Sequence, residues 1–289
     1  MPASRVIVVL GMHRSGTSLI TRGLQAMGVY LGDDFDFVGD DPDNPTGYWE
    51  TKQIVDLNER LLRLFGIDWR STSLIDDDQW NRVQVQTLCA ETATWLRARF
   101  QRHPLWGFKD PRTIRLLPFW RAVFGRLGVD DQYVVVIRNP LSVAASLQKR
   151  LRMPPATSHL LSLAYVVPHL HEIAAKTFVV TDYDLFVAEP RAQLERIARA
   201  LKIPLPETVN AEIDRFTADF LDPNLRHASF TPHDLDTAGD ISPLIREAYL
   251  RLYQLATDQI PSDAPEFWAA WKSLRQAVDP LIARKPNPT

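Results

Sequence analysis

Three runs of continuous apolar and β-branched residues punctuate the chain, Val6–Leu10, Tyr133–Ile137 and Thr177–Thr181, with a shorter one at Leu105–Phe108. Continuity rather than alternation is the pattern of strands buried on both faces of a parallel sheet. Each run leads into a stretch with helical spacing: Thr17–Met27, where Leu19, Ile20, Leu24 and Met27 share a face, a stretch from Thr113, Pro140–Leu151, and Pro190–Leu201. Four strand-then-helix units predict an α/β fold, a P-loop-type parallel β-sheet flanked by helices. Further helical segments are expected over 52–65, 79–102 and 159–175. From about Leu205 no strand pattern is present, and Pro243–Thr257, N-capped by Ser242, and Ala264–Ala283 predict a helical C-terminal region. The reading is one domain over 1–289, an α/β core over about 5–205 and a helical part over about 206–289, without internal repeats.

Composition narrows the function classes. The 289 residues are 45% hydrophobic and 24% charged, and 33 basic against 35 acidic side chains leave a net charge of -2. Such a chain builds a core without disulfides or a structural metal. Cys89 is the single cysteine, which excludes a disulfide framework and a Cys-based zinc site; it reads as a buried helical residue. Balanced charge argues against a dedicated nucleic-acid binder, so an anionic ligand has to be met by a local cluster. No apolar run approaches the roughly 18 residues of a membrane span. Val6–Leu10 is also too short for a secretory signal core, so the expected location is the cytoplasm. No heptad seam is legible, and the pattern assigns no oligomeric state. The acidic, Pro- and Gly-rich loop Gly32–Tyr48 reads as a solvated loop and, by its length, as a candidate lid.

Candidate chemistry begins at Gly11-Met12-His13-Arg14-Ser15-Gly16-Thr17-Ser18, between the first strand and its helix. The pattern is that of a phosphate loop with Thr17 where a lysine normally stands. Backbone amides of such a turn point at an anion, and the helix dipole adds positive potential. Without the lysine, and without a strand ending in an Asp placed to hold magnesium, cleavage of ATP or GTP is not expected. Arg14 supplies a guanidinium suited to bidentate phosphate or sulfate binding. His13 reads as a packing or supporting residue, with a base role as the alternative. After Tyr133–Ile137 comes Arg138-Asn139-Pro140-Leu141-Ser142, with Ser146 one turn above Ser142 on the same helix face. Asn139 fits an N-cap and Pro140 the first helical position. An arginine at the strand end with these hydroxyls makes a second anion site.

Together the two loops resemble the sulfotransferase superfamily, whose donor is 3′-phosphoadenosine 5′-phosphosulfate (PAPS). The resemblance assigns Arg14, Ser15, Gly16, Thr17 and Ser18 to the 5′-phosphosulfate, and Arg138, Ser146 and Ser142 to the 3′-phosphate. Asp182-Tyr183-Asp184-Leu185-Phe186, Pro190 and Leu201-Lys202-Ile203-Pro204 match a further element, so the likeness covers about residues 5–205. Lys109-Asp110-Pro111-Arg112 resembles the K-D-P segment of the glycan and tyrosylprotein branches, where the lysine reaches the sulfuryl group. Glu50, in Gly47-Tyr48-Trp49-Glu50, falls where those branches place a catalytic glutamate; a helix-start acid is the competing reading. The small-molecule branch would place a histidine at position 111, which is Pro111 here, and its adenine-stacking tryptophan is absent.

The implied catalytic residues are therefore Arg14, Glu50 and Lys109, acting without metal on an acceptor that bears a hydroxyl group, with 3′-phosphoadenosine 5′-phosphate (PAP) as product. Neither nucleic acid nor a membrane span is implied. Trp49, Trp69, Trp80, Trp106 and Trp120 are read as core more readily than as a sugar-stacking wall. Lys149, Arg150, Arg152, Arg226 and His227 are read chiefly as solvated surface, with donor or acceptor contacts as the alternative. Two other classes remain: a degenerate P-loop kinase or NTPase, marked by magnesium-dependent ATP binding, and a non-catalytic nucleotide-binding module, marked by PAP binding without transfer.

Overall fold

Residues Val6 to Leu10 alternate between two apolar environments, and that alternation organises the molecule. In the computed structural model, which describes residues 4–33, 36–38, 47–100, 102–219, 230–239 and 241–282, β1 (Arg5–Gly11) sends Val6, Val8 and Leu10 into one core and Ile7 and Val9 into the other. Successive strand side chains point to opposite faces, so a strand that is apolar throughout requires cover on both sides. The other strands are β2 (Leu105–Lys109), β3 (Asp130–Ile137) and β4 (Phe178–Asp182). All pairings are parallel, in the order β2-β1-β3-β4.

In chain order the helices are α1 (Thr17–Ala26), α2 (Lys52–Leu64), α3 (Val83–Phe100), α4 (Leu117–Leu127), α5 (Pro140–Leu151), α6 (Pro155–Val166), α7 (Tyr183–Ala188), α8 (Pro190–Ala200), α9 (Glu207–Asp219), α10 (Asp234–Thr237), α11 (Pro243–Ala256) and α12 (Pro265–Val278). Ile20 and Leu24 of α1, Leu194 and Ile197 of α8, and Ile213 and Phe216 of α9 cover the face of Ile7 and Val9. Helices α2 to α6, α11 and α12 supply the core on the opposite face. The α/β architecture with a helical C-terminal region is thus the one the strand and helix patterns predict.

Several boundaries differ from expectation. The helix expected over 159–175 starts earlier, with Pro155 at its first position, and α6 ends at Val166, because Pro168 cannot continue it; a short 3-10 turn, Leu170–Ile173, follows. Likewise α12 stops at Val278 before the turn Asp279–Leu281 that holds Pro280, and Ala283 lies outside the described residues. Thr113 belongs to a 3-10 turn, Pro111–Leu116, and α4 begins only at Leu117. A similar turn, Asp77–Asn81, precedes α3, which starts at Val83 rather than Gln79. The caps hold: Asn139 Oδ1 accepts from Leu141 N at 3.0 Å and Ser242 Oγ from Leu244 N at 3.3 Å. Cys89 is buried in α3.

The chain leaves β1 for β2 on one side and returns to β3 on the other. Parallel α/β sheets open a crevice outside the carboxyl ends of the strands at such a reversal. Here it lies between the loops that follow β1, β2 and β3.

Candidate active site

The loop after β1 is built around two close approaches. A Cβ at Gly11 would meet Val136 O at 2.7 Å, so β1 and β3 can run together only with glycine there. Gly16 has φ 87, and a Cβ on it would overlap the ring of Tyr183, so both conformation and space require glycine. Arg14 also takes a left-handed φ of 68, unusual for a residue with a side chain. Ser15 N donates to Met12 O at 3.2 Å, and the amides of Gly16, Thr17 and Ser18 have no hydrogen-bond partner among the described residues. These are the orphan donors of a helix start, gathered at the positive end of α1.

Because β1 and β3 are neighbours, the two arginine loops meet. Arg14 Nε donates to Ser146 Oγ at 2.9 Å, and Arg138 donates to the Arg14 carbonyl at 3.3 Å while its guanidinium lies 4.3 Å over the Tyr183 ring. Ser142, one turn earlier on α5, is 1% exposed and its Oγ has no hydrogen-bond partner among the described residues, whereas Ser146 is half-buried and bonded to Arg14. At the far end of α5, Lys149 and Arg152 face solvent, and Arg150 lies 5.4 Å over the Tyr48 ring. Arg226 and His227 lie outside the described residues, as do positions 34–35 and 39–46 of the acidic loop.

Glu50 reaches the crevice from a segment gripped on both sides. Ser18 Oγ of α1 donates to Tyr48 O at 3.1 Å, Arg22 of α1 lies 5.2 Å over Trp49, and Val38 N donates to Glu50 O at 2.8 Å. Phe37 bridges Thr51 and packs on Trp49, whose φ of 53 is a strained value for an aromatic residue. The helix begins only at Lys52, so Glu50 is not a first-turn acid. Its carboxylate instead takes a hydrogen bond from Lys109 Nζ at 2.6 Å; that lysine is 1% exposed and also donates to Ser18 Oγ at 3.2 Å. Lys109 therefore joins the end of β2 to the loop of β1 and to Glu50.

Arg112 extends this cluster and was assigned no role from its motif. It holds Asp110 through NH1 at 3.0 and 3.1 Å and Glu59 through NH2 at 3.1 Å, and lies 4.0 Å from Glu50. Burial pushes the Asp110 carboxyl up to about 6 against the pull of Arg112, with Glu50 pushing the same way as burial.

His13 packs on Trp69 at 4.5 Å and on Tyr165 at 5.6 Å. Burial, followed by Arg112, Lys109, Arg115 and Arg14, holds its imidazole well below the usual range, so it is neutral. The wall that carries Trp69 is tied down by buried Arg115, which donates to Asp68 O at 3.3 Å and Ser73 O at 2.6 Å, and by Tyr165 Oη, which donates to Trp69 O at 2.7 Å. Sequence spacing offers no signal for this wall, because its residues come from three distant segments. Trp106 and Trp120 are core, and Trp80 packs on Phe65. One strand does end in an Asp, Asp182 of β4, but it is not turned to a metal. Its oxygens accept from the amides of Asp184 and Leu185 and from Tyr249 Oη, so it caps α7.

These features define a parallel α/β protein whose candidate site gathers residues at the carboxyl ends of β1, β2 and β3. The family model described as "Sulfotransferase family" matches residues 6–207, and the chain belongs to that family. Among solved structures it is similar to the sulfotransferase domain of the Synechococcus PCC 7002 olefin synthase, with 20% identity over 90% of this chain and 98% of that one and a TM-score of 0.41. It is also similar to sulfotransferase STF9 from Mycobacterium avium, with 13% identity, 90% and 78% coverage and a TM-score of 0.48. A sugar kinase from Janibacter sp. HTCC2649 matches at 17% identity, over 69% of this chain and 95% of that one, with a TM-score of 0.38. No match is found among curated proteins. No helix of the described residues is long and apolar enough to cross a membrane.

Proposed function

We propose that the protein transfers a sulfuryl group from PAPS to a hydroxyl of an acceptor. The observation that carries the reading is Lys109, which bonds at once to Ser18 of the amide-rich loop and to Glu50, so donor loop, cation and base candidate share one point. The amides of Gly16, Thr17 and Ser18, without a partner among the described residues, suit the 5′-phosphosulfate, and Arg138, Arg14 and Ser146 suit a second phosphate one strand away. PAPS supplies the sulfuryl group and leaves as PAP.

In this reading the acceptor oxygen attacks sulfur in line; the new O–S bond forms as the bond from sulfur to the 5′-phosphate oxygen breaks. Negative charge builds on that oxygen, and the loop amides, Arg14 and Lys109 stabilise it from fixed positions. Glu50 takes the acceptor proton once Lys109 turns towards the sulfuryl oxygens, a contribution of about 10²–10⁴-fold for a placed base. Arg138 and Ser146 hold the 3′-phosphate. The α/β core and the C-terminal helices act as a single domain, since Tyr249 of α11 bonds to Asp182 at the end of β4. The kinase reading is disfavoured by Thr17 and by Asp182, whose oxygens already cap a helix.

Calorimetric titration with PAP, AMP and magnesium-ATP tests the donor class. PAP is expected to bind selectively, and Arg138→Ala to weaken it about tenfold or more. A preference for magnesium-ATP overturns the proposal, and PAP binding without transfer to any hydroxyl acceptor supports the non-catalytic module instead.

A further inference from the structure

Glu50 lies outside α2, which begins at Lys52, so contacts beyond that helix set its place. They lead to α1. Ser18 and Arg22 are four residues apart and share one face of that helix. Ser18 Oγ donates to Tyr48 O at 3.1 Å, while the Arg22 guanidinium lies 5.2 Å over the Trp49 ring and donates to Gln25 Oε1 at 2.9 Å. Consecutive turns of α1 therefore grip consecutive residues, Tyr48 and Trp49, just ahead of Glu50.

The grip acts on a bend that tryptophan does not favour. The φ of 53 at Trp49 lies in the left-handed region, where the Cβ crowds the backbone, and Gly47 two residues earlier has φ 81. Hydrogen bonds on either side close the bend: Ser18 to Tyr48 O, and Val38 N to Glu50 O at 2.8 Å. Glycine would take this conformation freely, but glycine offers no ring to hold. Tryptophan does: Arg22 supplies a cation over the indole, and the Phe37 ring packs on it at 5.3 Å. Resting on the sulfotransferase reading above, we propose that Arg22 is a positioning residue, which acts through the Trp49 ring to hold the bend and so keeps the Glu50 carboxylate at Lys109 Nζ, 2.6 Å away. The base candidate is then registered to α1, the helix whose start forms the donor loop, so donor and base keep one frame of reference.

The test takes PAPS hydrolysis as its reaction, with water in place of the acceptor: water attacks sulfur, the bond from sulfur to the 5′-phosphate oxygen breaks, and sulfate and PAP leave. Arg22→Leu is expected to lower kcat about 2–30-fold, the range of one cation–π contact, with KM for PAPS within about twofold, and Arg22→Lys to restore part of the loss. In Trp49→Gly, which keeps the bend but has no ring, Arg22→Leu should add nothing. An unchanged kcat in Arg22→Leu, or the same loss in the Trp49→Gly background, overturns the proposal. Amide hydrogen exchange supplies a readout without turnover. Exchange at Val38, whose N–H donates to Glu50 O, should quicken by a similar factor in Arg22→Leu while the α2 amides are unchanged; equal protection in both proteins overturns the proposal whatever the kinetics. A wild type that releases no PAP, or a Glu50→Gln variant with normal turnover, counts against the transfer reading, and the exchange result then decides the role of Arg22 alone.

Discussion

The loops after β1 and β2 both bring cations to the crevice, yet they hold them in opposite ways. After β1 the backbone amides of Gly16, Thr17 and Ser18 have no partner among the described residues. After β2 the side chains are committed: Lys109 to Glu50, and Arg112 to Asp110 and Glu59. An anion enters the first loop without displacing a bond, whereas at the second it must exchange one partner for another. The difference teaches that, in the proposed transfer, the β1 loop acts as a receptor and the β2 loop as a switch: a sulfuryl group that recruits Lys109 would simultaneously free Glu50 for the acceptor proton.

The sharpest way to break that contrast is Glu50→Gln. It removes the proposed base and leaves buried Lys109 without its counter-charge, so turnover should fall about 10²–10⁴-fold, while PAP affinity measured by calorimetry stays within about threefold. Retained turnover removes Glu50 from the mechanism. Gly16→Ala attacks the receptor loop instead. Strain at φ 87 and overlap with Tyr183 should cost roughly 1–3 kcal/mol in denaturant unfolding and abolish PAP binding; normal binding would show that the loop geometry is not what receives the anion.

Two smaller effects refine it. Ser146→Ala should weaken PAP about tenfold, because Ser146 bonds to Arg14, whereas Ser142→Ala removes a buried hydroxyl with no partner and should change affinity less than about twofold. Equal effects would merge the two serines into one site. The pH dependence belongs to the switch. A carboxyl raised from 3.8 to about 6 on folding binds its proton more tightly in the native state, so its contribution to stability is full below about 4 and lost as pH rises through about 6. Chemical denaturation of wild type and Asp110→Asn across pH 4–6 should show the wild type losing stability relative to the variant as pH rises; parallel curves rule out the shift.

The receptor was far more legible in the sequence than the switch. Continuous runs such as Val6–Leu10 can be covered only by helices on both faces, and glycines 11 and 16 with Arg14 and Arg138 sit at fixed offsets from strands, so local spacing carries them. The partners of the switch come from distant segments, 59 residues apart for Glu50 before α2 and Lys109 at the end of β2, with Arg112 just after that strand. Helix periodicity likewise could not reveal α9, where only Ile213 and Phe216 are buried hydrophobics, nor foresee that the face shared by Ser142 and Ser146 turns one serine inward. Prolines 168 and 280 ended helices that apolar spacing alone would have prolonged.

Arg115 has a consequence for how this protein can change. It anchors the wall of Trp69 through the main-chain oxygens of Asp68 and Ser73, which every amino acid possesses. Within the stretch, Asp68 Oδ1 accepts from the amides of Arg70 and Ser71, and Ser71 Oγ accepts from Ser73 N, so the turn also depends on those two side chains. Evolution, or a library randomised at positions 70 and 72, can therefore rewrite the side chains beside Trp69 while the guanidinium and these turn bonds keep the wall standing.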